Sequence, residues 1–259
     1  MLNMIDVNNL TFKYNEKPIL KNVSFSVNKG DFIGILGANG SGKSTLIKLI
    51  LGLLVPSCGQ IKIMGEDIGK FSNWSKVGYI SQKANSFNSA FPATVEEIVG
   101  ANLFSKIGLF RFPNKGHKEM VYNALELVDM QDYGKQLIGN LSGGQQQRVF
   151  IARVLVSEPE IMLLDEPTVG IDLKSEEAVY CLLARLNREL GLTIVMVTHD
   201  ISAVTVHANK IACLGSNGII IHDPEKELTQ EFITELYGYG VNLHIHRHDC
   251  INCSGRECK

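Results

Sequence analysis

Apolar and polar residues alternate over the first part of the chain. The apolar positions of this alternation are Ile5, Val7, Leu10, Phe12, Tyr14, Val23, Phe25 and Val27. A period of two is typical of strands with one buried face, so the pattern predicts antiparallel strands. The segment Asp31–Leu36, DFIGIL, then predicts a buried strand. A glycine-rich loop follows, and an apolar helical pattern begins at about Lys43.

Helical spacing replaces this alternation after Gln82 and continues to Ser157. Thr94 and Glu97 have the spacing of a capping box, which predicts a helix start at Thr94. The later part of the chain predicts buried parallel strands over 161–165 and 193–198, a helix over roughly 174–190, a hairpin turn at Asn217-Gly218, and an amphipathic helix through Leu228, Phe232, Ile233 and Leu236. The simplest architecture is an α/β nucleotide-binding core with a helical insertion at about 84–157.

The bulk composition is that of a globular protein. The chain has 259 residues, 45% of them hydrophobic, and a formal net charge of −2. Because there is no excess of positive charge, we expect no nucleic-acid partner. We also expect no secretory signal after Met1. The most apolar stretch, Leu46–Val55, contains Lys48 and has about half the length that crosses a bilayer, so another chain must supply any membrane span.

The segment Gly37–Ser44, GANGSGKS, matches the pattern of a phosphate-binding loop and lies between a predicted strand and a predicted helix. Glycines let the backbone wrap a triphosphate with its N–H groups pointing inward, and the helix N-terminus adds positive potential. Lys43 is expected to reach the β- and γ-phosphates, and Ser44 to bind magnesium. The ATP-binding residues predicted for this loop and its helix are Gly37, Ala38, Asn39, Gly40, Ser41, Gly42, Lys43, Ser44 and Thr45.

Two carboxylates, Asp165 and Glu166, end the predicted strand over 161–165. Ligands bind beyond the carboxyl ends of strands in open α/β sheets, so the two acids can serve a catalytic site. We expect Asp165 to serve the magnesium shell and Glu166 to act as the general base toward the attacking water. His199 follows the strand over 193–198 and is expected at the same rim, where it can hydrogen-bond a γ-phosphate or the water. The alternatives are a solvated acidic pair and a structural histidine.

A second phosphate site is predicted where Ser142, Gly143, Gly144 and Gln145 open a long helical pattern. Ser142 and Gln145 have capping-box spacing. Two glycines are unfavourable in a first helical turn, which indicates that something approaches the backbone closely. Because the loop at 37–44 already provides one phosphate cradle, we expect a head-to-tail dimer. In that dimer the Ser142 helix of each subunit closes over the nucleotide of the other.

Together these motifs resemble the ATPase subunits of ATP-binding-cassette (ABC) transporters over about residues 4–222. GANGSGKS is similar to the Walker A motif, LSGGQ to the ABC signature, and IMLLDEP to the Walker B strand. The resemblance implies an α/β fold: a P-loop NTPase core of ABC type with an N-terminal antiparallel β subdomain and an inserted helical subdomain. It also implies an ATPase domain at 1–223, a C-terminal helix at 224–243 and a tail at 244–259. ATP and magnesium would bind, and the ATP-bound state would be a homodimer.

The resemblance assigns further roles. Gln82 corresponds to the Q-loop glutamine, which contacts magnesium and the transmembrane partner, and His199 to the switch histidine. Tyr14 fits the aromatic residue that stacks on adenine, although a tyrosine in the core of a strand is the alternative. Asp172 stands in the D-loop and would act across the dimer. The contacts implied in trans to ATP are therefore Ser142, Gly143, Gly144, Gln145 and Asp172.

A finer resemblance concerns the cargo. The segment from Gln82 to Val95 is similar to bacterial importers of zinc and manganese, in which it borders the groove for the membrane subunit. We therefore expect a subunit that powers divalent-metal import, with zinc first and manganese, iron or another substrate as alternatives. A soluble ABC-type ATPase acting on nucleic acid or ribosomes is a remote alternative. The expected partners are an integral membrane permease and an extracellular substrate-binding protein, and the expected location is the cytoplasmic face of the cell membrane.

The six cysteines fall into two groups. Cys58, Cys181 and Cys213 lie in apolar surroundings, and we expect small buried residues in a reducing compartment. The second group belongs to a tail whose candidate metal ligands are His244, His246, His248, Cys250, Cys253 and Cys258. Thiolates and imidazoles are ligands that zinc prefers, so we hypothesise that the tail binds a transition metal. A disordered end without a function is the alternative.

Overall fold

The computed structural model describes residues 3–82, 92–108, 112–215 and 218–222. The strands are β1 (Asn3–Tyr14), β2 (Lys17–Asn28), β3 (Phe32–Leu36), β4 (Cys58–Ile63), β5 (Glu66–Asp67), β6 (Val77–Ile80), β7 (Ile161–Asp165), β8 (Thr193–Val197), β9 (Lys210–Gly215) and β10 (Gly218–His222). The α-helices are α1 (Lys43–Ile50), α2 (Val95–Gly100), α3 (Phe104–Ile107), α4 (Lys115–Leu127), α5 (Gly143–Leu155), α6 (Leu173–Leu190) and α7 (Ile201–His207). The described residues form two compact units. One holds the residues up to Ser72 and from Leu183 onwards, and the other holds Asn73–Leu182.

The first unit contains a four-stranded sheet in the order β2-β1-β4-β5, with antiparallel neighbours. Ile5 lies opposite Val27 and Val7 lies opposite Phe25. These four side chains are buried, because residues two apart on a strand share a face. The antiparallel strands predicted from the alternation are therefore confirmed.

A second group of strands in the first unit surrounds β3, which pairs in parallel with both β8 and β9. All residues of β3 and β8 are buried, as their continuous apolar sequences predict. Helix α7 packs closely on β3, because a Cβ atom at Gly34 would overlap the side chain of Val204. Strand β10 pairs antiparallel with β9, which confirms the predicted strand pair, although Asn217 of its turn lies outside the described residues.

The second unit contains β6 and β7, which are parallel, with Val77 opposite Ile161. Helix α5 packs against β6, and a Cβ atom at Gly78 would overlap the side chain of Val154. Strand β7 has the bounds that the sequence predicts, and α6 begins one residue before its predicted start. Glycine on the strand thus lets the helix approach the sheet closely.

Helices α2, α3, α4 and α5 follow β6 in the second unit, and α2 packs against both α4 and α5. Thr94 caps α2 as predicted. Its N–H donates to Glu97 Oε2 at 2.8 Å, and Glu97 N–H donates to Thr94 Oγ1 at 3.4 Å. The predicted helix through 228–236 and the region 224–243 lie outside the described residues.

The expectation for the three scattered cysteines is wrong for Cys58. It is exposed at the start of β4, where the first three residues of the strand face solvent. Cys181 is half-buried. Cys213 is buried, and its burial raises the pKa of the thiol to about 12, so it stays protonated at neutral pH. Among the described residues, no helix has the length and apolarity that a bilayer crossing requires.

Candidate functional site

The phosphate loop connects β3 to α1 in the first unit, and its backbone requires glycine at several positions. Gly40 and Gly42 have φ of +81° and +98°, which L side chains rarely adopt. A Cβ atom at Gly37 would lie 2.7 Å from the carbonyl oxygen of Leu214 and 2.7 Å from Ser41 Oγ. The predicted glycines are thus needed for the conformation of the loop itself.

Lys43 lies inside the phosphate loop and is only 6% exposed. Its ammonium donates to the carbonyl oxygens of Gly37 at 2.7 Å and Ala38 at 3.1 Å. Ser41 Oγ is also buried and has no hydrogen-bond partner among the described residues. A fixed cation, an unsatisfied hydroxyl and the N-terminus of α1, which carries no acidic residue in its first turn, form a cradle suited to an anion.

The remaining predicted residues of this unit occupy exposed or half-buried positions. Ala38, Asn39 and Gly40 form the exposed tip of the loop, and Ser44 and Thr45 are half-buried in the first turn of α1. Tyr14 ends β1 with 47% of its surface exposed and packs edge-on against Phe12, with ring centroids 4.8 Å apart. This exposure argues against the alternative of a core tyrosine and leaves one ring face suited to stacking.

His199 lies two residues past the end of β8, between the buried Thr198 and the half-buried Asp200. The Asp200 carboxylate accepts the N–H of Ala203 at 3.1 Å and so caps α7, while Asp200 N–H donates to Thr198 Oγ1 at 3.0 Å. These two bonds fix the backbone on both sides of His199, whose side chain is exposed at the strand end. The structure therefore places His199 just past the end of β8, and a shared rim with Asp165 and Glu166 stays a prediction.

The acidic pair of the second unit lies at the end of β7. Asp165 is 4% exposed, whereas Glu166 is half-buried and accepts a hydrogen bond from Gln82 Nε2 at 2.7 Å. Burial and the Asp165 charge raise the pKa of Tyr79 above its usual value. Glu166 also has φ of +50°, an unusual conformation for a residue with a side chain. The two adjacent carboxylates thus have different surroundings, as different roles require.

The start of α5 carries the second predicted phosphate site. Ser142 N–H donates to Gln145 Oε1 at 2.9 Å, and Gln145 N–H donates to Ser142 Oγ at 3.3 Å, which confirms the capping box. Ser142 and Gly143 are exposed, but Gly144 is buried. A Cβ atom at Gly144 would lie 2.5 Å from the Cβ atom of Ser175. The second glycine is thus required by packing within the chain, whereas Gly143 keeps an open approach to the helix start.

Asp172 lies in the turn before α6 and is exposed. Its Oδ1 accepts the N–H of Ser175 at 3.1 Å, and hydrogen bonds from the side chain and backbone of Ser175 lower the pKa of Asp172 below its usual value. The residue predicted to act across a dimer therefore also caps the first turn of α6 in its own chain.

Some contacts near the predicted site residues are not visible in the sequence motifs. Thr168, Glu176 and Tyr180 form a polar cluster beside Glu166, with Thr168 Oγ1 2.6 Å from Glu176 Oε1 and 2.8 Å from Tyr180 Oη. The available signal was the spacing of Glu176 and Tyr180, which places them on one face of a helix.

Other predicted features are not described by the structure. The tail ligands from His244 to Cys258 and the segment 83–91 after Gln82 lie outside the described residues. Within the described part of the chain, no three or more His, Cys, Asp or Glu residues are grouped so that they could hold a metal ion. A transition-metal site therefore stays a prediction for the tail alone.

Comparison with known proteins gives consistent matches. The family model described as ABC transporter matches residues 20–169, which is more than half of the chain. The zinc uptake system ATP-binding protein ZurA of Listeria innocua is 48% identical over 91% of this chain and 91% of its own length. The manganese transport system ATP-binding protein MntB of Bacillus subtilis is 39% identical over 90% and 92%. A dimeric bacterial ABC transporter cassette, MJ0796, superposes with a TM-score of 0.72 at 31% identity, over 85% of this chain and 99% of that one.

Proposed function

Because this chain belongs to the ABC transporter family, we propose that it hydrolyses ATP to power a membrane permease that imports divalent metal ions, with zinc as the expected cargo. Hydrolysis of ATP coupled to transport is the activity of the ATP-binding subunits of this family, and they act as dimers together with permease subunits. The cargo is the finer part of the proposal. It is supported by 48% identity with a zinc uptake protein over nearly the whole ATPase region.

The phosphate loop is proposed to bind the triphosphate of ATP. The ammonium of Lys43 already lies against loop carbonyls, where it can exchange these bonds for phosphate oxygens. The buried Ser41 hydroxyl, which has no partner among the described residues, is available to donate to phosphate. Tyr14 is proposed to stack on the adenine ring through its exposed face.

Magnesium is proposed to be held by Ser44, Asp165 and Gln82. A hydroxyl, a carboxylate and an amide oxygen are the hard ligands that this ion prefers. Bound there, magnesium would neutralise charge on the phosphates. The buried carboxylate of Asp165 suits this role, because it is a hard oxygen ligand and a cation beside it favours its charged form.

Glu166 is proposed to be the general base that accepts a proton from the attacking water. Its carboxylate is half-buried, and Gln82 Nε2 donates to one of its oxygens at 2.7 Å, which holds the side chain in place. His199 is proposed to hydrogen-bond the γ-phosphate or the same water from its exposed strand end.

The start of α5 is proposed to close over the nucleotide of a second copy of the chain. Ser142 and Gly143 are exposed and belong to a capped helix start, which can donate N–H groups to phosphate. Gly144 and Gln145 complete this first turn. Asp172 is proposed to contact the partner from its exposed turn. Dimerisation is thus expected when ATP is bound.

The cargo and the further partners form one transport system in this proposal. A permease supplies the membrane span, an extracellular substrate-binding protein delivers the metal, and this subunit lies at the cytoplasmic face of the membrane. Manganese is the second candidate cargo, favoured by 39% identity with a manganese transport protein over 90% of this chain. The segment after Gln82 is proposed to contact the permease.

Metal-dependent growth tests the cargo. A strain lacking this gene should grow poorly when zinc is depleted and recover when zinc is added. It should recover with this chain but not with its Glu166→Gln variant. Recovery by manganese alone would replace zinc with manganese as the cargo. Equal growth of the deletion and parent strains under depletion of either metal would contradict metal import. Co-purification of a multi-span membrane protein tests the partner separately.

The tail is proposed to bind zinc through His244, His246, His248, Cys250, Cys253 and Cys258. Imidazole and thiolate ligands with this spacing suit zinc better than magnesium. A chain truncated after Tyr239 should bind less zinc in equilibrium dialysis than the full chain and should hydrolyse ATP equally well. Equal zinc stoichiometry and affinity in the two proteins would contradict a metal site in the tail.

A further inference from the structure

Three polar side chains meet beside the turn that leads into α6. Thr168 Oγ1 donates to Glu176 Oε1 at 2.6 Å, and Tyr180 Oη donates to the same oxygen at 3.1 Å. The two hydroxyl oxygens are 2.8 Å apart. Thr168 and Tyr180 are 6% and 2% exposed, so water does not compete freely for these bonds. We call Thr168, Glu176 and Tyr180 the clamp.

The clamp holds one end of the turn 168–172, and Glu176 also holds the other end. Its backbone N–H donates to the carbonyl oxygen of Asp172 at 2.9 Å, while its carboxylate accepts the Thr168 hydroxyl. Asp172 in turn accepts the N–H of Ser175 at 3.1 Å. Both ends of the turn are therefore fixed to the first two turns of a single helix.

The turn is connected to the proposed general base by a short, stiff stretch of chain. Only Pro167, whose ring fixes φ, separates Thr168 from Glu166. Glu166 has φ of +50°, and its carbonyl oxygen accepts the N–H of Val169 at 3.4 Å. We therefore expect a displacement of Thr168 to shift the backbone of Glu166.

The clamp also lies beside the start of α5. Ser175, in the first turn of α6, packs so closely on Gly144 that no side chain fits there. An added Cβ atom at Gly143 would lie 3.9 Å from the carbonyl oxygen of Gly170 in the middle of the turn. The turn and the first turn of α6 therefore lie against the exposed start of α5.

We propose that Glu176 and Tyr180 are positioning residues for ATP hydrolysis, acting through Thr168 on Glu166 and on the turn 168–172. The proposal gives them no direct contact with the nucleotide or with the attacking water. A hydrogen bond from a hydroxyl to a carboxylate is stronger than one to a neutral acceptor, so the clamp holds Thr168 firmly. The inference rests on the ATPase function proposed above and identifies residues that none of the sequence motifs contains.

Removing only the hydroxyl of Thr168 tests the proposal. Thr168→Val keeps the size and branching of the side chain, and Thr168→Ser keeps the hydroxyl. We expect Thr168→Val to lower kcat about tenfold, the effect of losing a hydrogen bond to a charged group, with the KM for ATP changed less than about twofold. Thr168→Ser should restore kcat to within about threefold of the unchanged protein.

A second pair of variants tests the proposal even if substitution of Thr168 prevents folding. Glu176→Gln keeps an acceptor without its charge and should lower kcat about threefold, whereas Glu177→Gln on the same helix makes the same chemical change outside the clamp and should leave kcat unchanged. Melting temperatures and binding of a fluorescent ATP analogue should be recorded for each variant. Should Thr168→Val fail to fold, the Glu176→Gln and Glu177→Gln pair decides.

The outcomes separate the two proposals. A clamp that only stabilised the fold would give Thr168→Val and Glu176→Gln lower melting temperatures with unchanged kcat, and that result would overturn the inference. Equal losses of kcat in Thr168→Ser and Thr168→Val would also overturn it, because the hydroxyl would then be irrelevant. If the unchanged protein hydrolyses no ATP, with or without its permease, the function proposed above is wrong instead.

Discussion

The phosphate loop of the first unit and the turn 168–172 of the second unit both follow a strand of buried residues, but they are held in different ways. The loop depends on its own backbone, with positive φ at Gly40 and Gly42 and with Lys43 bonded to two loop carbonyls. The turn depends on side chains that come from another element, namely Glu176 and Tyr180 of α6.

Because the loop and the turn are held in different ways, different substitutions can change nucleotide binding and turnover in one chain. A loop fixed by its own backbone is formed before any ligand arrives, which favours affinity. A turn fixed by side chains can be adjusted through those side chains, and Glu166 lies two residues before it. We therefore expect substitutions in the loop to affect mainly nucleotide binding, and those near the turn to affect mainly turnover.

The largest effect is expected for Glu166→Gln. The amide cannot accept the proton of the attacking water, so the turnover number should fall about 10²–10⁴-fold, while nucleotide affinity is retained. Steady-state phosphate release and binding of a fluorescent ATP analogue measure the two quantities. The variant should also accumulate as an ATP-bound dimer in size-exclusion chromatography. Full hydrolysis by Glu166→Gln would remove its assigned role.

Lys43→Ala is the converse test and should mainly reduce binding. Loss of a buried ammonium that bonds to phosphate should weaken nucleotide affinity about 100-fold. Lys48→Ala, on the exposed side of the same helix, is the matched control and should bind nucleotide normally. Titration of the fluorescent analogue compares them. If Lys43→Ala binds as tightly as Lys48→Ala, the loop does not bind the triphosphate through this residue.

Two glycine substitutions, one in the phosphate loop and one beside the turn 168–172, compare the two regions directly. Gly37→Ala meets a carbonyl oxygen, and Gly144→Ala meets the side chain of Ser175, so each should lower the free energy of unfolding by about 1–3 kcal/mol. Only the clash of Gly144→Ala can be relieved by a second substitution, because Ser175→Gly removes the Cβ atom that it meets. Chemical denaturation of the single and double variants measures the rescue. If Ser175→Gly restores no stability to Gly144→Ala, the proposed packing is wrong.

The smallest expected effect concerns pH and Asp172. Its folded-state pKa is lowered, so the carboxylate contributes stability above its unfolded pKa of about 3.9, and this contribution is lost as the pH falls through the folded value. Asp172→Asn keeps a capping oxygen without the titration. The unfolding free energies of the two proteins should therefore differ at pH 6 and converge near pH 2, as measured by denaturation over about pH 2–6. A constant difference would contradict this linkage.

The sequence predicts the first region more completely than the second for a physical reason. A loop that must adopt positive φ restricts its own positions to glycine, so the requirement is written at Gly40 and Gly42 themselves. The buried strands are likewise visible as apolar runs, and the capping boxes at Thr94 and Ser142 as residues at a fixed spacing. Each of these signals is local in the chain.

The clamp was not predicted, because Glu176 and Tyr180 are polar residues on a helix and resemble an ordinary solvated face until Thr168 is placed beside them. The sequence also explains only in part why glycine occupies position 144. Its sequence context suggested the approach of a ligand, whereas Ser175 of the same chain occupies that space. Exposure at Cys58 was misjudged because apolar neighbours in sequence do not determine which face of a strand end is covered.

The backbone conformation of Glu166 lowers the stability of the fold, whereas its side chain is proposed to serve activity. A left-handed conformation costs a residue with a side chain about 1–2 kcal/mol, and glycine would avoid this cost. Glycine would also remove the carboxylate. A search for more stable versions of this protein would therefore tend to select the loss of its catalytic group, so stabilising substitutions should be sought away from the residue that follows β7.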